Sequence, residues 1–549
     1  MRKTLIASFV FVLLFNLFFY RAIFGISTFL FFAALNALFF FNRLDNKKNL
    51  LIGAFFSGAS CLFALFFAFR ASEINFAVNF LGAVFFSLAA LYFYRKEKDY
   101  KFNIFEFLAT PPFVFAGSAV GLFQNLGKEM NSNKKNKSLL AIIRGAIIAI
   151  PVVLVLFFIL NSADPIFSRF SQLFFQDIGQ RFWVSLVVFA ATLFLGLTKI
   201  TSIFDSEKPV GAREGKLQEL LVIVGSVAIL FALFILVQVR YLFVQVSEQD
   251  LASLGIKSLT YSEYVRKGFV ELLIAASIGS LVVVYALRFL RHVAGKKWLQ
   301  VALGVLVVEV GLLLWSDFQR LVLYQAEHGL TRIRVFGFIF LLWLLVVLVV
   351  LFVRVFWKIK RKILFWAIVV SSVVALSVAS FVNIDGLVAT KFVPTVNDEV
   401  DYYYISSLSA DAASGWQGLI LDAEGKIGEL EEKSAISAED NRQLYWRQKA
   451  LENLVSKLSF LLNKYGTANQ LAAWNQLALT DDAPNAEPRK WQNFNLSEFM
   501  AYGKVTADFD FYLNTLNLLK RANVISQKVT DEVRQNTQLD RAVNPPFVK

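Results

Sequence analysis

Cysteine and histidine are scarce in this sequence of 549 residues. The single cysteine, Cys61, excludes an internal disulfide and any CxxC redox or zinc motif. The two histidines, His292 and His328, are too far apart in the sequence for an HExxH zinc motif. The sequence also lacks GxxxxGKS/T, GxGxxG and GxSxG motifs, which would indicate a nucleotide site or a serine hydrolase. We therefore predict no metal, no cofactor and no catalytic residue.

Charged residues are also few, because they make up 17% of the chain while hydrophobic residues make up 57%. Soluble domains are typically about 25% charged and about 45–50% apolar. The mean hydropathy of +0.57 therefore excludes an ordinary soluble protein. With 10 prolines and 28 glycines, the chain is neither collagen-like nor a disordered Pro/Gly-rich polymer. The 59 phenylalanines lie mostly in long apolar runs, which indicates an integral membrane protein.

Apolar stretches of about 20 residues predict membrane-spanning helices. We predict about eleven spans, at residues 4–20, 24–41, 50–69, 74–94, 139–160, 182–198, 218–238, 269–289, 298–316, 335–353 and 363–382. The first resembles a signal peptide, but it lacks a small-x-small cleavage site, so we interpret it as a retained anchor. The predicted fold class is thus all-α: a polytopic helical membrane protein followed by a helical extracytoplasmic C-terminal domain.

The stretch 104–123 is apolar but contains Pro111 and Pro112 near its middle, where they would break a spanning helix. Strongly basic loops flank it on both sides, and both favour the cytoplasm. We interpret this stretch as a re-entrant or interfacial element. The predicted organisation is then a four-span N-terminal region at 1–138, a seven-span core at 139–382, and a separate domain at 383–549.

The basic excess lies in the apolar part of the chain. Residues 383–549 carry 17 basic and 22 acidic residues, so residues 1–382 account for all of the net charge of +14. With the N-terminus inside, inner loops hold 27 of the 38 basic residues of that part. The positive-inside rule therefore predicts a cytoplasmic N-terminus and an extracytoplasmic C-terminal domain in a bacterial cytoplasmic membrane. Basic loops between spans do not resemble a nucleic-acid-binding face, so no nucleic acid is predicted.

The C-terminal domain is predicted to be helical. Ser437 and Asp440 have capping-box spacing, and leucines then recur with helical periodicity to about Lys464. The segment 478–490 is predicted to be a loop, and the tail from about Asn536 to be loose. No strand pattern stands out.

Ionisable residues in or beside the spans are the candidate functional residues, because the membrane makes them costly. Glu309, Arg320 and Glu327 would lie within roughly 20° of each other on one unbroken helix, at about 100° per residue. We predict that this stripe and its neighbours line a polar cavity open to the outside; structural ion pairs are the alternative. This outer polar cluster comprises Asp164, Arg240, Glu263, Arg266, Glu271, Glu309, Asp317, Arg320, Tyr324 and Glu327.

Several strings together resemble a known family. They are NSADPIF at 161–167, TYSEYVRKGFVEL at 260–272, RLVLYQAEHGLTRIRVFG at 320–337, NIDGLVA at 383–389, LSADA at 408–412 and WQNFNLS at 491–497. Over roughly 140–500 the chain resembles a bacterial family of multi-pass membrane proteins catalogued as a domain of unknown function, of the 4153/4173 type. The resemblance implies a cytoplasmic-membrane location and carries over no activity.

Three classes of function stay open. The first is a non-enzymatic envelope protein that binds a partner through residues 383–549, or an envelope lipid or solute through the outer polar cluster. The second is a transporter of a small solute or lipid, with Glu309 and Glu271 as buried acids. The third is an enzyme like the lipid-linked glycosyltransferases of the envelope, although the first outer loop carries no acid. Membrane lipids are the expected surroundings in each case, and the sequence does not predict an oligomeric state.

Overall fold

The computed structural model describes residues 2–19, 24–41, 49–96, 100, 102–118, 121, 178–196, 216–242, 261–287, 290, 296–357, 359–396, 399–433, 436–478 and 491–543. Nearly all of these residues are helical, so the predicted all-α class is confirmed. The exception is a hairpin of two short antiparallel strands, β1 (Thr395–Val396) and β2 (Glu399–Val400). The sequence analysis predicts no strand there, because two residues per strand leave no periodic pattern.

Apolar helices, all of them long except α5, make up most of the described residues up to position 381. They are α1 (Arg2–Phe19), α2 (Ile26–Phe41), α3 (Leu50–Leu65), α4 (Glu73–Arg95), α5 (Ile104–Leu108), α6 (Ile178–Gly196), α7 (Lys216–Leu242), α8 (Tyr261–Leu287), α9 (Lys296–His328), α10 (Arg332–Phe356) and α11 (Arg361–Phe381). Each predicted span within the described residues coincides with one of these helices. The predicted span 139–160 lies outside the described residues.

Five apolar helical segments of the described chain are long enough to cross a membrane: Leu50–Ala68, Glu73–Arg95, Lys297–Ala326, Arg332–Phe356 and Arg361–Phe381. Shorter apolar segments of 10–17 residues lie in α1, α2, α6, α7 and α8. Helices of this length and apolarity are those of a membrane protein.

The stretch around the two prolines is broken, as the sequence predicts. Helix α5 ends at Leu108, and a second helix covers residues 110–118. Pro111 and Pro112 therefore lie in the first turn of the second helix, where the missing N–H groups cost no helical hydrogen bond. The rest of the predicted element, apart from Gly121, lies outside the described residues.

The chain divides into two compact units that are not continuous in sequence. The first comprises residues 1–68, 77–209 and 490–494, and the second comprises residues 69–76, 210–489 and 495–549. The segment 69–76, which links α3 to α4, thus belongs with the C-terminal half of the chain.

In the first unit, hydrogen bonds join apolar helices. The Asn36 amide donates to the hydroxyls of Ser60 (3.1 Å) and Ser87 (2.9 Å), and thereby joins α2, α3 and α4. The Asn16 amide donates to Ser185, which joins α1 to α6. Small polar side chains commonly hold helices together in this way where both faces are apolar.

In the second unit, α7 to α10 share one apolar core. Gly279 of α8 lies where these helices are closest: a Cβ there would be 2.8 Å from both Phe231 of α7 and Val310 of α9. A glycine at this position lets three helices approach closely. Helix α11 is joined to α10 by a hydrogen bond from the Trp343 indole to Ser372.

The C-terminal part of the second unit forms its own helical core. Its helices are α12 (Ile384–Thr390), α13 (Tyr402–Ser407), α14 (Trp416–Glu432), α15 (Ala438–Tyr465), α16 (Ala468–Ala478), α17 (Leu496–Ala507) and α18 (Phe509–Val543), with a 3₁₀ helix at Ala410–Gly415. The predicted capping box is confirmed, since the side chains of Ser437 and Asp440 bond each other's backbone N–H. The predicted periodic leucines of α15 are all buried. Segment 479–490 lies outside the described residues.

Candidate functional site

A buried group of paired charges lies where the helical ends of the second unit meet its C-terminal core. We call it the junction cluster and define it by Arg70, Arg332, Asp385, Ser409 and Asp411. Asp385 and Asp411 are 2% and 6% exposed. Both carboxylates are therefore nearly removed from water, which requires that each be paired and hydrogen-bonded.

Arg70 joins Asp411 to the end of α11. Its guanidinium donates to the Asp411 carboxylate at 3.1 Å and to the backbone oxygen of Phe381 at 2.6 and 2.8 Å. Phe381 is the last residue of α11, so a cation lies at the negative end of that helix. The Asp411 carboxylate also accepts hydrogen bonds from the Ala71 N–H (2.9 Å) and the Ser497 hydroxyl.

Arg332 and Asp385 form the second pair. The Arg332 guanidinium donates two hydrogen bonds to the Asp385 carboxylate, one of them from Nε at 2.5 Å. Arg332 begins α10, and Asp385 lies in the first turn of α12, where a negative charge favours the helix dipole. Two parallel charge-assisted bonds fix distance and orientation together. The pair therefore locks the start of α10 to the start of α12.

Ser409 connects the two pairs. Its hydroxyl lies 2.5 Å from Asp385 Oδ2 and 3.2 Å from Asp411 Oδ2, and its backbone N–H donates to Asp385 at 3.0 Å. All four carboxylate oxygens of the cluster are thus hydrogen-bonded. A carboxylate in this state is a poor general base, because its lone pairs are already engaged. The geometry is that of a structural anchor.

Charges of both signs surround the junction cluster. Lys457 donates to the Ser406 carbonyl oxygen. Burial lowers the pKa of Lys457, and so does the positive charge of Arg332, while Glu73 and Asp385 oppose both effects. Burial likewise raises the pKa of the Tyr404 hydroxyl, which accepts a hydrogen bond from the Arg332 N–H. Arg334 also lowers the pKa of Tyr404, so the charges around the two pairs are of both signs.

The predicted outer polar cluster is only partly within the described residues. Helix α9 is unbroken from Lys296 to His328, as the predicted stripe requires. The side chains of Glu309, Asp317, Arg320 and Tyr324 on it are described. Asp164 lies outside the described residues. The remaining members lie on helices α7, α8 and α9, but their side chains are not among those described: Arg240, Glu263, Arg266, Glu271 and Glu327. The cavity that these residues were predicted to line therefore stays a prediction.

Two acids of α9 lie where a charge is costly. Glu309 is 8% exposed and Asp317 is fully buried, although both lie in an apolar spanning segment. Among the described residues, neither Asp317 carboxylate oxygen has a hydrogen-bond partner, and neither has Glu309 Oε2. Tyr324, on the last turns of α9, lies under the guanidinium of Arg334, 4.0 Å from the ring centre. Arg334 thus ties the end of α9 to the start of α10.

A pocket opens on the C-terminal core, between the β hairpin and the first turns of α13 and α15. Its volume is about 320 Å³. One wall is formed by Tyr403 and Trp446, whose ring centres are 5.0 Å apart with the planes inclined at 57°. Glu399, Glu439 and Arg442 also line it. The sequence does not predict this pocket, because its residues come from separate segments without a motif.

No group of three or more potential metal ligands was found among the side chains that the structure describes.

Comparison with known proteins gives a family and no activity. The family model "Domain of unknown function (DUF4153)" matches residues 57–416, which is well over half of the chain. The match begins and ends earlier than the resemblance noted over 140–500, and it includes all five residues of the junction cluster. No curated protein and no solved structure matches the chain. The chain is therefore a helical membrane protein that belongs to the DUF4153 family.

Proposed function

We propose that this is a non-enzymatic protein of the bacterial cytoplasmic membrane that holds an extracytoplasmic helical domain against the membrane surface. The domain binds an envelope partner, lipid or solute. About eleven helices anchor it, with the N-terminus in the cytoplasm. The observation that carries the proposal is the junction cluster, because its hydrogen-bonded pairs join residues 383–549 to helix ends of the membrane part.

The saturated hydrogen bonding of the cluster favours a holding role over a catalytic one. Each carboxylate oxygen of Asp385 and Asp411 already accepts at least one hydrogen bond, and the cluster has no net charge. An anchor of this kind keeps the domain at a fixed height above the lipid. A binding domain needs such a position if its ligand is part of the envelope.

The distribution of charge supports the orientation. The basic loops gather on the side that the positive-inside rule assigns to the cytoplasm. Segment 69–76, the start of α10 and the end of α11 all fall on the opposite side in that topology, and residues of all three meet in the junction cluster. Helix ends that contact one another must lie on the same side of a membrane, so the predicted topology is self-consistent here.

Accessibility labelling tests the orientation. In a Cys61→Ala background, a cysteine at Tyr445 (50% exposed) is expected to react with a membrane-impermeant maleimide in intact spheroplasts. A cysteine at Trp357 (59% exposed), in a predicted inner loop, is the matched control and is expected to react only after lysis. The reverse pattern would contradict the extracytoplasmic domain.

Native mass spectrometry tests binding. The full-length protein is extracted gently from its own membrane and its mass is compared with that of the chain truncated after Val382. A lipid, solute or protein that stays bound to the full chain and is lost on truncation would support the proposal. A full-length chain that carries no bound species across several mild detergents would contradict it.

A transporter is the second candidate, and the buried acids of α9 favour it. Buried acids with carboxylate oxygens that lack a hydrogen bond commonly mark ion or substrate pathways when they lie inside a span. Substrate-dependent uptake that is lost in both Glu309→Gln and Asp317→Asn, with normal protein levels, would establish transport. Uptake unchanged in both variants would exclude these acids from any such pathway.

A further inference from the structure

The pocket on the C-terminal core has walls suited to a flat ligand with one apolar face. Tyr403 and Trp446 are 40% and 45% exposed, although aromatic side chains of this size are usually buried. Their rings meet at 57°, so together they form a V-shaped apolar wall. Exposed aromatic rings that stay on the surface of a folded domain commonly mark a binding site.

The polar groups beside this wall include exposed charges of both signs. Glu439 and Arg442 are about two-thirds exposed and lie 3.9 Å apart, which is a weak surface pair. Gln443 adds an amide that can donate and accept, and Glu399 adds a carboxylate from the hairpin. In contrast, Arg447 is held by two hydrogen bonds to Asp422 and is engaged within the domain.

This combination selects against strongly charged ligands. Nucleic acids and phosphates are bound by clustered arginines and lysines, whereas acids equal or exceed bases here. A purely apolar ligand would leave the polar groups of the rim without partners. A sugar ring fits both requirements, because its C–H face packs on an aromatic ring while its hydroxyl groups bond carboxylates, guanidinium and amides.

We propose that this pocket is a glycan site, which takes a short, uncharged segment of an envelope oligosaccharide. The volume of about 320 Å³ is at the lower end of the range for small-molecule sites and suits about one or two sugar rings. This inference rests on the proposed extracytoplasmic binding function and names its ligand class.

Calorimetric titration of the full-length protein in lipid nanodiscs tests the site. The probes are tetra-N-acetylchitotetraose, which presents acetamido groups, and maltotetraose, which presents hydroxyl groups alone. We expect saturable binding of at least one of them. Trp446→Ala should weaken it about tenfold or more, and Trp446→Phe, which keeps an aromatic face, should weaken it much less.

Phe460→Ala is the matched control, because Phe460 is an exposed aromatic residue on the same helix, α15, and does not line the pocket. Binding unchanged in this variant supports the site. Equal losses in Trp446→Ala and Phe460→Ala, with unchanged helicity and melting temperature, would overturn it. No binding of either sugar at about 10 mM would also overturn it, as would a protein that crosslinks to the pocket in cells.

The two proposals fail separately. If position 445 is labelled only after lysis, the proposed extracytoplasmic function is refuted, whatever the titration shows. If position 445 is labelled in intact spheroplasts but no sugar binds, the glycan proposal is refuted and the proposed orientation still stands.

Discussion

Two arginine–carboxylate pairs of similar geometry lie in very different surroundings in this protein. The Arg332–Asp385 pair is almost buried, with side-chain exposures of 13% and 1%. The Arg521–Glu431 pair is also bidentate, but both side chains are 39% exposed. Buried charges depend on their partners for solvation, whereas exposed charges exchange a partner for water at little cost.

Asp385→Asn should therefore destabilise the protein strongly, by about 3–5 kcal/mol, because it leaves the Arg332 guanidinium without a balancing charge. Glu431→Gln is the matched control and should change stability by about 0–1 kcal/mol. Thermal unfolding in a mild detergent measures both. Similar decreases in unfolding temperature in the two variants would show that the Arg332–Asp385 pair contributes no more to stability than a surface pair.

The junction cluster could not have been predicted from spacing in the sequence. Arg70 and Asp411 are 341 residues apart, and Arg332 and Asp385 are 53 apart, so no helical or strand periodicity connects them. One signal was nevertheless present. The strings at 320–337, 383–389, 408–412 and 491–497, which carry the family resemblance, supply Arg332, Asp385, Ser409, Asp411 and Ser497.

At the scale of elements, the apolar helices and the capping box followed directly from the sequence, since local pattern decides both. The positions at which one element ends against another did not follow from the sequence. Helix α9 ends at His328 because Gly329 adopts a left-handed conformation with φ of +68°. A Cβ on Gly329 would lie 2.3 Å from the Val393 carbonyl oxygen, so this turn also packs against the segment before the hairpin.

Gly329→Ala should be destabilising for two reasons, which are the strained backbone and the clash with Val393. We expect a loss of about 1–3 kcal/mol. Gly425→Ala makes the same chemical change inside α14, where a Cβ meets open space, and should stabilise by up to about 1 kcal/mol. Unfolding temperatures that move in the same direction in both variants would contradict this account of the turn.

At the scale of the whole molecule, the C-terminal part has its own core. It is attached to helix ends by the junction cluster and by an apolar cluster that packs Leu330 against Ile384 and Val388. Loss of the cluster should therefore release the domain without unfolding it. The exposed Lys391 lies between α12 and the hairpin and offers a site for trypsin.

Arg332→Ala combined with Asp411→Asn should accelerate cleavage at Lys391 about tenfold or more, because the flanking segment opens when the anchor is lost. The released fragment should keep its helical circular dichroism. Arg521→Ala, which breaks only the exposed pair, should leave the rate unchanged. A double variant that resists trypsin as well as the native chain does would mean that apolar packing alone holds the domain.

The separation of 341 residues between Arg70 and Asp411 also sets an order of events during synthesis. At about 5–20 residues per second, the ribosome reaches Asp411 roughly 20–70 seconds after it has made Arg70. Throughout that interval the Arg70 guanidinium cannot bond Asp411, so this link between the helix ends is not yet formed. The membrane helices are therefore inserted before their outer ends are joined through Asp411. A chain that stalls before Asp411 leaves these helix ends exposed, where quality-control proteases can recognise them.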